Sequence, residues 1–288
     1  MNEQVRLQLA RDINAAIRKI SWPTTYHEPD YVAQLVMTLP GAIQSSLRML
    51  LPTRNIIVGG AFIHQKPLAH FINPPMPGLR DSELGDLLIA CREKRAPGYV
   101  YNAQLLQAKL VDDVSHTVIP LDHQFLLYSQ WPVFEYRRAG SLNGTRRSVC
   151  PKTITQGAQY LMIEKSDPSE MFTATVDNPL EGTTCFPCEL ASVIAFDRGR
   201  TFQSGYPCDS WSRYIWDLLR ISASAVFNRR HAGIKKAPRW SRDSVLDFIL
   251  EKSPNGDIPV IEQIGDNDGV SGVSVICVDI GPDPQAIQ

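Results

Sequence analysis

Ser82-Glu83-Leu84-Gly85-Asp86-Leu87-Leu88-Ile89, followed after a polar turn by Ala103-Gln104-Leu105-Leu106-Gln107-Ala108-Lys109-Leu110, is the stretch that decides the fold. Both runs read as buried strands with their polar residues gathered at one end. Strand side chains alternate, so Gln107 and Lys109 share a face while Ala108 points the other way. Gln104 has the opposite parity to Gln107 and reads as structural. Asp86 sits among Leu84, Leu87, Leu88 and Ile89, which want burial, so its carboxylate needs a partner. If Asp86 ends the neighbouring strand, a carboxylate, a carboxamide and an ammonium meet at one sheet edge. Such a set holds a hard divalent cation against a phosphate, and phosphodiester hydrolysis is the reaction that suits it.

Around this pair the elements follow an order. Tyr31 to Leu51 carries apolar positions at helical spacing, with Pro40-Gly41 predicted to break or restart the helix. Asn55 to Phe71 reads as one or two strands, the next strand ends near Cys91, and a turn at Ala96-Pro97-Gly98 leads into Ala103 to Leu110. Asp122 to Gln130 is a short amphipathic helix stopped by Trp131-Pro132, and Gln159 to Ile163 is a further strand. The order is α, β, β, β, α, β.

Order and residues together resemble the PD-(D/E)XK nuclease superfamily, in which an aspartate near one strand and a Glu-x-Lys on the next form the active site. Gln107-Ala108-Lys109 looks like the Gln-x-Lys variant of Mrr-like restriction endonucleases. The resemblance covers residues 30–166. It implies an α/β, restriction-endonuclease-like core with a mixed central sheet flanked by helices. By it, Asp86 and Gln107 would ligate Mg2+ or Mn2+ together with the backbone carbonyl of Ala108, and Lys109 would orient the attacking water or steady the charge developing on phosphorus. It also implies a DNA substrate and a setting in bacterial defence, with a second copy, a helicase or another defence component as partner. An RNA-cleaving enzyme of this fold and a non-catalytic nucleic-acid-binding or assembly module are the alternatives.

Gln107 in place of an acid removes a negative charge from the cation site. Glu83 can restore it if Gly85 kinks the strand so that both acids turn inward. The superfamily often adds an acid from its first helix. Tyr31 to Leu51 contains none, which leaves Gln34, Gln44 or the preceding Glu28 for that part.

Residues 1–29 read as an N-terminal helix and linker, the helix (Met1 to Ile20) placing Val5, Leu7, Leu9, Ile13, Ile17 and Ile20 largely on one side. Residues 167–288 read as a C-terminal α+β elaboration, with helices at Trp211 to Phe227 and Ser241 to Glu251 and a strand at Val273 to Ile280. The net charge of −1 gives no global pull toward nucleic acid. Positive charge is local instead: between Arg213 and Arg242 stand eight Lys or Arg against Asp217 alone. Arg229, Arg230, Lys235, Lys236 and Arg239 in that stretch are the predicted contacts to a phosphate backbone.

No stretch approaches the ~20 apolar residues of a membrane span, so a soluble, cytoplasmic protein without membrane contact is expected. The six cysteines are then expected as reduced thiols. Cys185-Phe186-Pro187-Cys188 has the spacing of half a zinc site with Cys208 as a candidate third ligand, and no second Cys-x-x-Cys or His-x3-His completes it. Asp266-Asn267-Asp268-Gly269 lacks the closing Glu of a calcium loop and reads as a turn. Phosphate-loop, dinucleotide-binding and nucleophile-elbow motifs are missing from the sequence.

Overall fold

A computed structural model describes residues 1–22, 27–63, 67–73, 81–204, 209–227, 238–250 and 272–282 of the chain. Arg229, Arg230, Lys235, Lys236, Cys208 and residues 266–269 lie outside the described residues.

The chain is α/β, with a mixed sheet flanked by helices. Its strands are β1 (Ile56–Ala61), β4 (Leu87–Lys94), β5 (Tyr99–Val111), β8 (Ala158–Glu164), β9 (Met171–Ala174), β10 (Thr184–Cys185), β11 (Arg200–Phe202) and β12 (Ser274–Ile280). Their order in space is β1-β12-β4-β5-β8-β9-β10, with β11 pairing β5. β4 and β5 form an antiparallel hairpin, β8 runs parallel to β5, and β12 runs parallel to β4. The C-terminal segment therefore contributes a strand to the middle of the sheet, between β1 and β4. A second sheet of four strands, in the order β3-β2-β6-β7, comprises β2 (Leu68–Asn73), β3 (Ser82–Glu83), β6 (Val133–Arg137) and β7 (Arg146–Arg147).

Alternation along the central strands sorts the core into two layers. Leu87, Ile89, Cys91, Leu106 and Ala108 face one way, toward α1 (Glu3–Ile17), α2 (Glu28–Leu50) and α4 (Phe186–Ile194). Leu88, Ala90, Ala103 and Leu105 face the other way, where α3 (His123–Gln130), α5 (Ser210–Phe227), α6 (Arg239–Leu250) and the second sheet cover them. Trp131, Phe134 and Tyr136 are fully buried there as core plugs.

Several elements differ from their sequence reading. Pro40 lies inside a continuous α2, with no break. An interior proline costs roughly 3 kcal/mol. The buried stripe Leu35, Val36, Leu39, Ile43 and Leu47 outweighs that, at about 1.5–3 kcal/mol for each fully buried side chain. The α1 stripe is Leu9, Ala10, Ile13 and Ile17, and it packs on α2 and α4, whereas Leu7 is 47% exposed. A helix turns about 100° per residue, so Leu7 is carried to the far side from Leu9.

Cys185 and Cys188 form a disulfide instead of standing as reduced thiols. The first turn of α4 sets their Cα atoms 5.3 Å apart, inside the range a disulfide spans.

On the α4 face, Gln104 is fully buried and structural. Its Nε2 donates to Glu189 Oε1 at 2.6 Å and to Gln159 Oε1 at 3.2 Å. Burial raises the Glu189 carboxyl above its ordinary range, against the opposing pull of Gln104 and Arg198. An acid with a raised folded pKa contributes stability below its ordinary pKa and loses it as pH rises through the raised value. Glu189→Gln, which keeps a neutral acceptor, should therefore gain on the wild type as pH climbs from about 4 to 8. Paired thermal melts across that window check it, and a constant difference in Tm would contradict it.

Candidate functional site

The site lies where β5 runs on past the start of β4. The last rung between the two strands pairs Leu87 with Leu106. Beyond it, β5 stays paired with β8 on one side, Gln107 to Tyr160 and Lys109 to Met162, and its other edge faces a fork. Edge amides at such a fork need acceptors. Carboxylates supply them: Ala108 N donates to Asp86 Oδ2 at 2.8 Å, and Leu110 N donates to Glu28 Oε1 at 3.3 Å.

Asp86 is placed by the bend before β4. Gly85 holds φ +155°, a conformation that favours glycine. Asp86 N then donates to Leu106 O at 2.9 Å, and its side chain turns to β5. A Cβ on Gly85 would lie 2.6 Å from Leu105 Cδ1 and 2.9 Å from Tyr128 Oη. Gly85→Ala should destabilise the protein by about 1–3 kcal/mol through backbone strain alone, read by urea denaturation. A loss near zero would show that the bend relaxes freely.

Asp86 and Gln107, read from the sequence as partners, are brought together. Asp86 is 1% exposed and its Oδ2 also accepts from Gln107 Nε2. That bond turns the amide so that Gln107 Oε1, buried, has no hydrogen-bond partner among the described residues. Tyr160, the register neighbour of Gln107 on β8, likewise buries its hydroxyl without a partner among the described residues. Burial raises that phenol well above its usual range. Because one residue's N–H and C=O leave a strand on the same side, the Ala108 carbonyl is directed to the fork with its amide.

Lys109 is partly exposed, and its Nζ lies 2.5 Å from Gln124 Oε1. Gln124 stands in the first turn of α3, which Asp122 caps by accepting from Gln124 N and Phe125 N. One turn further along the same helix face, the Tyr128 hydroxyl donates to Leu84 O at 3.0 Å. Thus α3 holds both sides of the fork, the lysine through Gln124 and the approach to Asp86 through Tyr128. The sequence signal for this was a Gln and a Tyr four residues apart on an amphipathic helix directly after the Gln-x-Lys strand.

Glu28 joins the site as the first residue of α2 and not as a loop acid. Glu28-Pro29-Asp30, with proline in the first turn and acids at the positive helix end, is the start signal that extends the helix back to it. Glu83 stands on β3, three residues before Asp86 across the Gly85 bend, paired through its backbone with Leu68 in the second sheet. Gln44 is elsewhere, accepting from Val58 N. Arg239 begins α6, 77% exposed and 3.5 Å from Asp243 one turn on.

Oxygen donors dominate the fork: the Asp86 carboxylate, the unpartnered Gln107 Oε1, the Ala108 carbonyl and the Glu28 carboxylate. Among the described residues no three His, Cys, Asp or Glu side chains form a metal-holding group. An oxygen set with one amide and one backbone carbonyl suits a hard, weakly held cation of the Mg2+ type better than zinc. Among the described residues no helix is long and apolar enough to cross a membrane. Comparison with protein-family models, curated proteins and solved structures finds no match.

Proposed function

We propose that the fork is the active site of a metal-dependent phosphodiesterase acting on DNA, on a core of restriction-endonuclease type. The observation that carries the reading is the joining of Asp86 to Gln107 and Ala108 at the edge of β5, with Lys109 two residues on along the same strand and Glu28 at the Leu110 amide. Asp86, Gln107 Oε1 and the Ala108 carbonyl would hold Mg2+ or Mn2+. Glu28 is the acid whose position at the neighbouring amide supports a second negative charge, and Glu83 is a further acid at the bend. The bound cation would supply Lewis acidity against the phosphodiester charge.

The chain's own groups do the rest. Lys109 Nζ would offer its positive charge where a pentavalent phosphorus gathers negative charge. Gln124 Oε1 fixes the direction of that ammonium and leaves its other protons for water or phosphate. Tyr128 and the Gly85 bend hold Asp86 in register with Gln107, so little reorganisation is needed when substrate arrives.

A second reading, a non-catalytic nucleic-acid-binding or assembly module, is favoured by one observation. Asp86 is almost fully buried and already takes hydrogen bonds from Gln107 and Ala108, as a carboxylate that fastens two strands would.

Calorimetry separates the two. With a non-cleavable DNA duplex present, the wild type should take up Mn2+ or Mg2+, and Asp86→Asn should lose that uptake. No uptake by the wild type would favour the module.

A further inference from the structure

We propose that the Cys185–Cys188 pair is a redox-active site that exchanges electrons with low-molecular-weight thiols, a second chemical function on the opposite side of the sheet from Lys109. The pair closes a loop across a sequence separation of only 3, so by chain entropy it constrains the unfolded state little, and a fold-stabilising role is a weak reason for it. Its place favours the reduced form. Cys185 is the N-cap residue of the nine-residue α4, and its side chain makes no capping hydrogen bond. Pro187 in the first turn removes one of the orphan amides, and the Cys188 N–H remains in the position that an N-cap side chain serves. A Cys185 thiolate would sit at that position, in the field of the helix N-terminus, where thiol pKa values fall and exchange quickens.

Both cysteines are partly exposed, so a small thiol can reach them. Below them the turn is held firmly. Phe186 and Pro187 are buried, and Glu189 is bonded to Gln104 of β5 at 2.6 Å. The 5.3 Å Cα spacing is set by this pinned turn, so the two sulfurs stay neighbours when the bond between them opens.

The exchange balances as follows. A thiolate attacks Cys185 Sγ, a mixed disulfide forms, the Sγ–Sγ bond breaks, and Cys188 leaves as a thiolate that takes a proton from water. A second thiolate attacks the outer sulfur of the mixed disulfide and releases Cys185 as the N-cap thiolate. Two small thiols are oxidised to one disulfide, and the protein disulfide is reduced to a dithiol.

The test uses the full folded chain, equilibrated in mixtures of reduced and oxidised glutathione and read residue by residue by mass spectrometry after alkylation, with circular dichroism confirming that the fold persists. Cys185 and Cys188 should pass together between disulfide and dithiol. After reduction at pH 7, Cys185 should react with iodoacetamide at least tenfold faster than Cys150, a free and exposed thiol of the same chain. A disulfide that survives excess reduced glutathione in the folded protein, or a Cys185 no faster than Cys150, would overturn the proposal.

Discussion

Replacing Lys109 with alanine is expected to lower metal-dependent cleavage of DNA by about a hundredfold to ten-thousandfold, the range for removing a positioned proton carrier or charge stabiliser. The fold should barely notice. Lys109 is partly exposed at the end of β5, and the substitution removes one hydrogen bond, to Gln124, worth about 0.5–1.5 kcal/mol. Plasmid, linear duplex, single-stranded DNA and RNA should be assayed with Mg2+ and with Mn2+, alongside a thermal melt of each protein. Activity lost with the melt unchanged assigns the chemistry to the fork. Wild-type activity in both Lys109→Ala and Asp86→Asn would remove the proposed site altogether.

Asp217→Ala should give the largest loss of stability, about 3–5 kcal/mol, because it removes the buried partner of a largely enclosed cation. Asp217 lies on α5 and its side chain is nearly inaccessible. It takes Arg147 Nε at 2.5 Å, Arg147 Nη2 at 3.3 Å and the Tyr136 hydroxyl at 3.1 Å. The second sheet is thereby fastened to the helix that covers the central one. Without the carboxylate, the Arg147 guanidinium, its side chain only 18% exposed, keeps a single bond, from Nη1 to Arg146 O, and the Tyr136 phenol stays buried without its acceptor. Stabilities of domains span only about 5–15 kcal/mol, so the variant approaches unfolding at ordinary temperature. Urea denaturation measures the loss. Adding Arg147→Met should recover part of it, since an apolar side chain leaves no charge behind; a single-mutant loss under 1 kcal/mol would show that the network carries little.

The contact between Asp86 and Gln107 was legible in the sequence. Alternation put Gln107 and Lys109 on one face, and a carboxylate among leucines announced a partner. The hairpin turn at Arg95 to Gly98 fixes the antiparallel register that sets Asp86 opposite Gln107. Helix ends with clear signals were also readable, as with Asp122 and Trp131 around α3. Other features depend on contacts that no local pattern encodes. Pro40 reads as a break because the face that overrides it becomes apparent only when β1 packs against α2. The helix α4 is hidden behind a proline and two cysteines that resemble a turn. The division of β1 and β2 between two sheets cannot be told from their similar apolar character.

The position of β12 bears on how the protein is made. Val275 pairs with Ala61, and Ser274 pairs with Leu87, so both bonds join parts of the chain some two hundred residues apart. At about 5–20 residues per second of synthesis, a nascent chain holds the facing edges of β1 and β4 unpaired for roughly 10–40 seconds before the strand that joins them leaves the ribosome. Two long apolar edges are exposed for that interval, so yield in a cell should depend on chaperone capacity and on translation speed. Slower codons ahead of residue 272 would lengthen the exposure and favour aggregation.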